Sequence, residues 1–248
     1  FTSPSSSNCN NTSQTPYIKP NVNSLRYMQV SNMFTTAQKF SASGNSYGIS
    51  TSADAHMMKN SEWGAVAYLS QSKYGKYGNS SYSGANKEVY INNNSGYTTG
   101  CSAGAPSTGV SSTCAYTYEK STGGTGASTT GTIYGVYDMS GGAWEYVMGV
   151  YSNTIGNAGF SSLPASKYYD NYTSTTATSA CNSGICYGHA LSETSGWYSD
   201  YAYFVNSSYP WFLRGGGYGA TTSAGVFYFD RVNGVASSNY SFRVVVLD

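Results

Sequence analysis

Charged side chains are scarce in this chain of 248 residues, because Asp, Glu, Lys and Arg together make up 9% of it and the net charge is +1. Ordinary soluble domains carry about 25% charged residues. A nucleic-acid-binding protein needs a basic face that displaces counterions from phosphates, so the composition argues against that class of partner. A near-zero net charge also gives no long-range field, so any partner must be recognised at short range by shape, stacking and hydrogen bonds.

Histidine and long apolar runs are also lacking. His56 and His189 are the only histidines, and no cysteine pair has CxxC spacing, so a zinc site is hard to assemble. No stretch approaches the ~20 apolar residues of a membrane-spanning helix. The sequence begins with Phe1 rather than Met, so we expect any signal or anchor to lie in a preceding segment.

Sequence motifs of common enzymes are absent as well. There is no phosphate loop, dinucleotide-binding fingerprint, HExxH or EF-hand. His189 lies near Ser192 and Glu193, but no GxSxG turn accompanies them, which favours a hydrogen-bonding loop histidine over a catalytic triad.

The five cysteines are Cys9, Cys101, Cys114, Cys181 and Cys186, and the last four form two local pairs, in CSAGAPSTGVSSTC and CNSGIC. We expect two disulfides that close short loops, Cys101–Cys114 and Cys181–Cys186, as in a secreted protein. Free thiols are the alternative. Cys9 is left over, either free or paired outside this chain.

A flexible or loosely docked leader is predicted over residues 1–16, which are polar and contain proline. No clean linker divides residues 17–248, which favours a single domain. Apolar side chains recur at helical spacing within residues 23–40, which predicts a first amphipathic helix.

A second helix is predicted over residues 58–73. Asn60 or Ser61 would cap it, and Glu62 would lie in its first turn, where an acidic side chain is favourable. The side chains expected to face the core are Trp63, Val66, Ala67 and Leu69.

Strands are predicted mainly in the second half of the chain. Between residues 75 and 132 the sequence favours loops, with short strands at Glu88–Ile91 and Ala115–Glu119. Five later segments alternate apolar and polar residues with glycine between them, which predicts a twisted antiparallel sheet in an α+β domain. These segments cover residues 131–139, 143–151, 211–216, 225–230 and 241–247.

Three phrases of the sequence resemble a known fold. They are YGVYDMSGGAWEYVMG (134–149), WFLRGGGY (211–218) and SFRVVVL (241–247). In this order they resemble the C-type-lectin-like fold in its formylglycine-generating-enzyme branch, most strongly over the second half of the chain. The resemblance implies twisted antiparallel sheets, two framing helices and long loops. It implies little about function, because the fold hosts unrelated activities.

Five residues of these phrases are expected to have structural roles, with catalysis as the alternative for the charged ones. The two aromatic residues would add bulk to the core. The two arginines would bond carbonyls or a buried carboxylate, with Asp138 and Glu145 as the nearest candidates. The five are Trp144, Glu145, Arg214, Phe242 and Arg243.

The enzymes of this branch use a reactive cysteine pair in their C-terminal region, which binds copper. Here no cysteine follows Cys186, and Cys181 and Cys186 have no cation nearby to lower a thiol pKa. We therefore expect no enzymatic activity and no cofactor. Family members can hold structural calcium in the segment matching residues 140–145. Gly142 replaces the usual asparagine there, so one ligand side chain is missing, and calcium binding is left as an open alternative.

The same branch includes the variable proteins of diversity-generating retroelements. In these systems adenine mutagenesis converts AAY codons into any NNY codon, which cannot encode Lys, Glu, Gln, Met or Trp. The variable segment lies between an RGG phrase and a terminal FR phrase. Residues 213–248 contain none of these five residue types, whereas average composition would give about four. Chance absence from a short segment is the alternative.

The C-terminal variable segment 213–248 divides into frame and display positions. The frame positions are Arg214, Gly215, Gly216, Ala224, Gly225, Phe227, Phe229, Gly234, Phe242 and Arg243. The display positions, which we expect to bind the ligand, are Gly217, Tyr218, Gly219, Ala220, Thr222, Tyr228, Asp230, Arg231, Val232, Val235, Ser237, Ser238, Asn239 and Tyr240.

These observations predict a ligand-binding or adhesion protein displayed on a cell or phage surface, whose partner is a protein or glycan and not a nucleic acid. Its many Tyr, Ser, Gly and Asn residues resemble those of antibody paratopes. A fixed-sequence adhesin or pilin-tip domain is the alternative, and a formylglycine-generating-type enzyme comes third. Residues 56–75 and 186–216 also resemble prepilin-like surface proteins of gut Gram-positive bacteria. That resemblance implies a membrane or pilus anchor in a preceding segment.

Overall fold

The computed structural model describes residues 9–106, 109–174 and 186–247. Within these ranges the chain forms two α-helices and nine strands joined by long loops, which is an α+β fold as predicted. The elements are α1 (Val30–Ala37), α2 (Asn60–Ser70), β1 (Asp54–Met57), β2 (Cys101–Ser102), β3 (Tyr116–Thr117), β4 (Trp144–Tyr151), β5 (Asp170–Tyr172), β6 (Trp211–Arg214), β7 (Phe229–Val232), β8 (Tyr240–Phe242) and β9 (Val244–Leu247). None of the helices in the described ranges is long and apolar enough to span a membrane.

The central sheet has five strands and is built around β4. Strand β6 pairs with β4 antiparallel, and β7 continues antiparallel from β6. Strands β5 and β8 both pair with β4 in parallel, at opposite ends of the strand. The predicted antiparallel pairing is found between β4 and β6 and between β6 and β7, while the other two of these four pairings are parallel.

Two apolar clusters cover the two faces of this sheet. Side chains alternate along a strand, so neighbours point to opposite faces. Tyr146, Met148 and Leu213 pack on the face that carries α1. Val147 and Phe212 pack on the face that carries Trp63 of α2. Burial on both faces explains why β4 and β6 are almost wholly apolar, and each large side chain buried this way contributes about 1.5–3 kcal/mol.

Two small sheets lie outside the central sheet. Strands β1 and β9 pair antiparallel, with Met57 opposite Val244, so the C-terminal strand joins the N-terminal half. Strands β2 and β3 pair beside the predicted disulfide Cys101–Cys114, which is present with a Cα–Cα distance of 5.3 Å. The second predicted disulfide involves Cys181, which lies outside the described residues.

The first helix is shorter than predicted. It begins at Val30 rather than near residue 23, and a 3-10 turn follows it. Tyr27 has a φ of +66°, which an α-helix cannot contain, and its N–H donates to Ser237 O at 2.9 Å. Contacts from a distant segment therefore override the helical pattern. Within the predicted leader, Cys9 is buried, and Asn10 Oδ1 accepts the N–H of Gln29 at 2.8 Å.

The second helix is confirmed over Asn60–Ser70, with two corrections. Its N-cap position is Lys59, whose N–H donates to Glu62 Oε2 at 2.8 Å, so neither Asn60 nor Ser61 is the cap. Leu69 is 61% exposed, although it was expected to face the core. Two helical residues rotate by about 200°, so Leu69 points away from the side on which Ala67 is buried.

Some predicted strands are loops in the structure. Residues 88–91 and 131–139 form no strand. In the first segment Tyr90 N–H donates to Gly126 O, and in the second Asp138 has a φ of +60°, so loop contacts replace a strand ladder. The strand predicted at 225–230 begins only at Phe229, after a turn. Strands are confirmed at 143–151, 211–216 and 241–247, and only residues 116–117 of the predicted 115–119 strand form one.

Candidate binding face

The C-terminal segment returns across the central sheet, and its burial separates frame from display positions. Eight of the ten frame positions are buried, the exceptions being the half-buried Phe242 and Arg243. Of the fourteen display positions, Gly217 and Tyr228 are buried, Gly219 and Thr222 are exposed, and the other ten are half-buried. The segment therefore anchors itself through one set of residues and presents much of the other set to solvent.

Part of the display segment joins an aromatic surface, which we call the tyrosine face: Tyr201, Tyr203, Tyr209, Tyr228 and Arg231. The guanidinium of Arg231 lies 3.8 Å from the ring centroid of Tyr203 and 5.6 Å from that of Tyr209. The ring of Tyr201 lies 6.0 Å from Tyr203 and 5.8 Å from Tyr228. Tyr201, Tyr203 and Tyr209 are 45%, 48% and 48% exposed. A cation among half-exposed rings offers stacking and hydrogen bonding together.

Backbone pairing fixes the direction of these tyrosines. Tyr203 N–H donates to Phe229 O at 2.9 Å, and Phe229 N–H donates to Tyr201 O at 3.0 Å, so residues 201–203 lie beside β7. Alternation along this extended stretch turns Tyr201 and Tyr203 to solvent and buries Phe204. Arg231 Nη1 donates to Phe204 O at 2.9 Å, which holds the guanidinium in place.

Tyr228 supports the tyrosine face from below. Its hydroxyl accepts the indole N–H of Trp144 at 3.0 Å and donates to Asp230 Oδ2 at 3.2 Å. Asp230 Oδ1 accepts the N–H of Arg231 at 2.8 Å. Burial raises the pKa of the Tyr228 phenol, and the charge of Asp230 raises it further, so the phenol stays protonated and remains a donor. Burial also raises the pKa of Asp230.

Other display positions gather around Tyr97 from the N-terminal half. The ring of Tyr218 meets that of Tyr97 edge-on at 4.9 Å, and the Tyr97 hydroxyl donates to the side-chain oxygen of Asn239. Arg26 stacks on Tyr97 at 3.7 Å and donates to the carbonyl of Ser238. These contacts hold the loop between β7 and β8.

The two arginines of the recognised phrases have different partners. Arg243 forms a two-pronged ion pair with Glu145, with distances of 2.8 and 2.6 Å, and donates to Asp138 O at 3.1 Å, as expected. Arg214 is fully buried and bonds neither of the two expected carboxylates. Its Nη1 donates to Ala190 O at 3.0 Å, and burial lowers its pKa to about 9.

The carboxylates near residues 140–145 do not fit a calcium site. Both oxygens of Glu145 accept from Arg243, while Asp138 accepts from Asn92 Nδ2 at 2.9 Å and Gly100 N–H at 3.0 Å. Calcium needs six to eight oxygen ligands, and these oxygens are occupied by N–H donors. Among the described residues no group of three His, Cys, Asp or Glu side chains could hold a metal ion.

His189 makes the hydrogen bond that the sequence predicted for it. Its Nδ1 lies 2.7 Å from the Tyr172 hydroxyl, and burial lowers its pKa. Glu193 instead accepts from the Tyr68 hydroxyl at 2.8 Å. His189 therefore has a tyrosine partner rather than a serine nucleophile.

Tyr201, Tyr203 and Tyr209 were not predicted as site residues, because they precede the variable segment. The alternation in Tyr201–Ala202–Tyr203–Phe204 was the available signal, since it predicts one face of tyrosines and one apolar face. No family model matches this chain, and no curated protein matches it.

Proposed function

We propose that this chain is a C-type-lectin-like binding domain, and that it is the variable protein of a diversity-generating retroelement. The three phrases behind the resemblance support the fold, because they lie on adjacent strands. Glu145 of β4 is opposite Arg214 of β6 and beside Ser241 of β8. The Arg243–Glu145 ion pair joins the first phrase to the last.

The observation that carries the proposal is the separation of frame from display positions by burial. Random substitutions at the buried frame positions would create cavities, clashes and unpaired polar groups. These are the changes that lower the free energy of unfolding most. Substitutions at half-exposed positions lower the free energy of unfolding less. In this segment eight of ten frame positions are buried but only two of fourteen display positions are.

The ligand of the proposed function is a protein or glycan on another cell or surface, bound at the tyrosine face. Tyrosines give large, rigid contact area at low entropic cost, and a central arginine is a common hot spot. The disulfide Cys101–Cys114 supports an extracellular location. In this proposal the protein is not an enzyme. A fixed-sequence adhesin would use the same face without diversification.

Sequencing of the gene's surroundings separates these two possibilities. The proposal requires a near-copy of the region encoding residues 213–248, differing where the copy has adenine, beside a reverse-transcriptase gene. Isolates should then differ at the exposed and half-buried display positions and agree at frame positions. Absence of the repeat and the reverse transcriptase would refute diversification and leave the fixed adhesin.

Binding at the tyrosine face is tested on glycan arrays and on intact bacterial and host cells with the labelled protein. We expect Arg231→Ser and Tyr203→Ser each to weaken binding at least tenfold. Tyr74→Ser is the control, because Tyr74 is 75% exposed and lies outside the face. Equal binding by all four proteins would contradict the assignment of the face.

A further inference from the structure

A second concave site lies apart from the tyrosine face. It is a cleft of about 520 Å³ bounded by residues 16–25, 133–138 and 241–244, and no residue of the tyrosine face lines it. Small-molecule sites in proteins span about 300–1,000 Å³, so the volume suits a small ligand. The display positions do not line it either, so a ligand here would be independent of sequence variation in the C-terminal segment.

Much of the cleft wall is apolar. Leu25 lines it from one part of the chain, and Phe242 and Val244 line it from the C-terminal strand region. At its rim Ile18 is 82% exposed and Ile133 is 51% exposed. Two large aliphatic side chains in water beside an apolar cavity would gain free energy from a ligand that covers them.

Four charged side chains line the cleft, and their formal charges cancel: Lys19, Arg243, Asp138 and Glu145. Arg243 and Glu145 both line it and bond each other through two hydrogen bonds. Asp138 lines it too, but its carboxylate accepts from Asn92 and Gly100. An anionic ligand would meet the two carboxylates as well as the two cations, and a cationic ligand would meet Lys19 and Arg243 as well as the carboxylates. Charge complementarity therefore favours an uncharged ligand.

Arg243 keeps one hydrogen-bond donor unused. Within the described part of the chain, Nε and Nη2 of Arg243 are engaged by Glu145 and by the carbonyl of Asp138, while Nη1 has no partner. Nη1 can donate to one acceptor on the ligand without breaking the ion pair.

We propose that this cleft binds an uncharged, largely apolar small molecule that places one carbonyl-type oxygen against Arg243. The apolar body lies against Leu25, Phe242 and Val244, and the rim isoleucines cover it. The balanced charges of the cleft favour a ligand without net charge over a charged one.

The probe for this proposal is Nile red, which is uncharged, apolar and carries a carbonyl. We expect saturable binding of one dye per protein, seen as a fluorescence increase and blue shift. Val244→Trp fills the cleft and should weaken dye binding at least tenfold. Val246→Trp is the matched control, because Val246 lies on the same strand, is 37% exposed and does not line the cleft.

The same titration contains the outcomes that would overturn the proposal. These are no saturable binding, equal binding by Val244→Trp and the wild type, or loss of binding in Tyr203→Ser, which would place the dye on the tyrosine face. If Val244→Trp does not fold, Ile133→Ser at the exposed rim should still weaken binding about threefold. An anionic dye of similar size should bind at least tenfold more weakly than Nile red, and equal binding would refute the charge argument.

Discussion

Gly217 and Gly219 are both predicted display positions, but the structure gives them different tolerance for a side chain. A Cβ on Gly217 would lie 2.3–2.4 Å from three ring atoms of Trp144. A Cβ on Gly219 would meet no atom within 4 Å. We therefore expect Gly217→Ala to destabilise the protein and Gly219→Ala to leave it unchanged or slightly more stable.

The size of the destabilisation by Gly217→Ala depends on how the Trp144 ring can move away from the new methyl group. The Trp144 ring cannot shift without straining its hydrogen bond to Tyr228, which is 3.0 Å long. Overpacking costs about 1–3 kcal/mol, and a weakened hydrogen bond costs about 1 kcal/mol more. Gly219→Ala should instead stabilise by about 0.4–1 kcal/mol, because alanine restricts the unfolded chain. The two variants should therefore differ by about 3 kcal/mol in the free energy of unfolding.

The assay is urea unfolding followed by tryptophan fluorescence, with Tm measured by calorimetry. At about 2–4 °C per kcal/mol for a domain of this size, Gly217→Ala should lower Tm by about 4–16 °C. Equal stability of the two variants would refute the packing argument. In a diversified population, position 219 should accept many residues while position 217 keeps glycine.

Three further outcomes are expected. His56 lies between two carboxylates, and although burial opposes its charge, the hydrogen bonds and charges of these carboxylates raise its pKa. The stabilisation that protonated His56 provides should be complete below pH 6.5 and should be lost as pH rises through the raised pKa. The difference in the free energy of unfolding between wild type and His56→Gln should therefore shrink from pH 6 to pH 9. Replacing Cys101 and Cys114 by serine should lower the free energy of unfolding by about 3 kcal/mol, the value for a disulfide that closes a loop of similar length. An unchanged urea unfolding curve would contradict this expectation. Burial lowers the pKa of Lys76 to about 6, so the unfolded chain takes up a proton at this amine before the folded protein does as pH falls from 10 to 7. The neutral Lys76→Met variant should therefore gain stability relative to wild type over this range. A stability difference that does not change with pH would refute the lowered pKa of Lys76.

Local patterns in the sequence were sufficient for the elements that form the core. The apolar run in residues 143–151 is a strand because both of its faces are buried, and Trp63 and Ala67 face inward at helical spacing. The same reasoning was wrong where distant contacts compete with local preference. Tyr27 is held by Ser237, so the first helix starts late.

The candidate site shows the same division. Its frame and display positions were predicted from codon-compatible residues and the flanking phrases, because those are properties of the sequence. The partners were predicted only in part. Glu145 was a candidate partner of Arg243, 98 positions away, but nothing in the sequence pointed to the carbonyl of Ala190 that Arg214 bonds.

By itself, the sequence determined the α+β class, the two helices, the first disulfide and the central strand, because each depends on short-range periodicity or spacing. Only the tertiary structure decided that Tyr203 and Tyr209 flank Arg231, and that residues 16–25 meet 241–244 to form a cleft. The physical reason is that such surfaces arise from strand order and loop path. Strand order and loop path are set by the packing of segments far apart in the chain, and local sequence patterns carry no information about that packing.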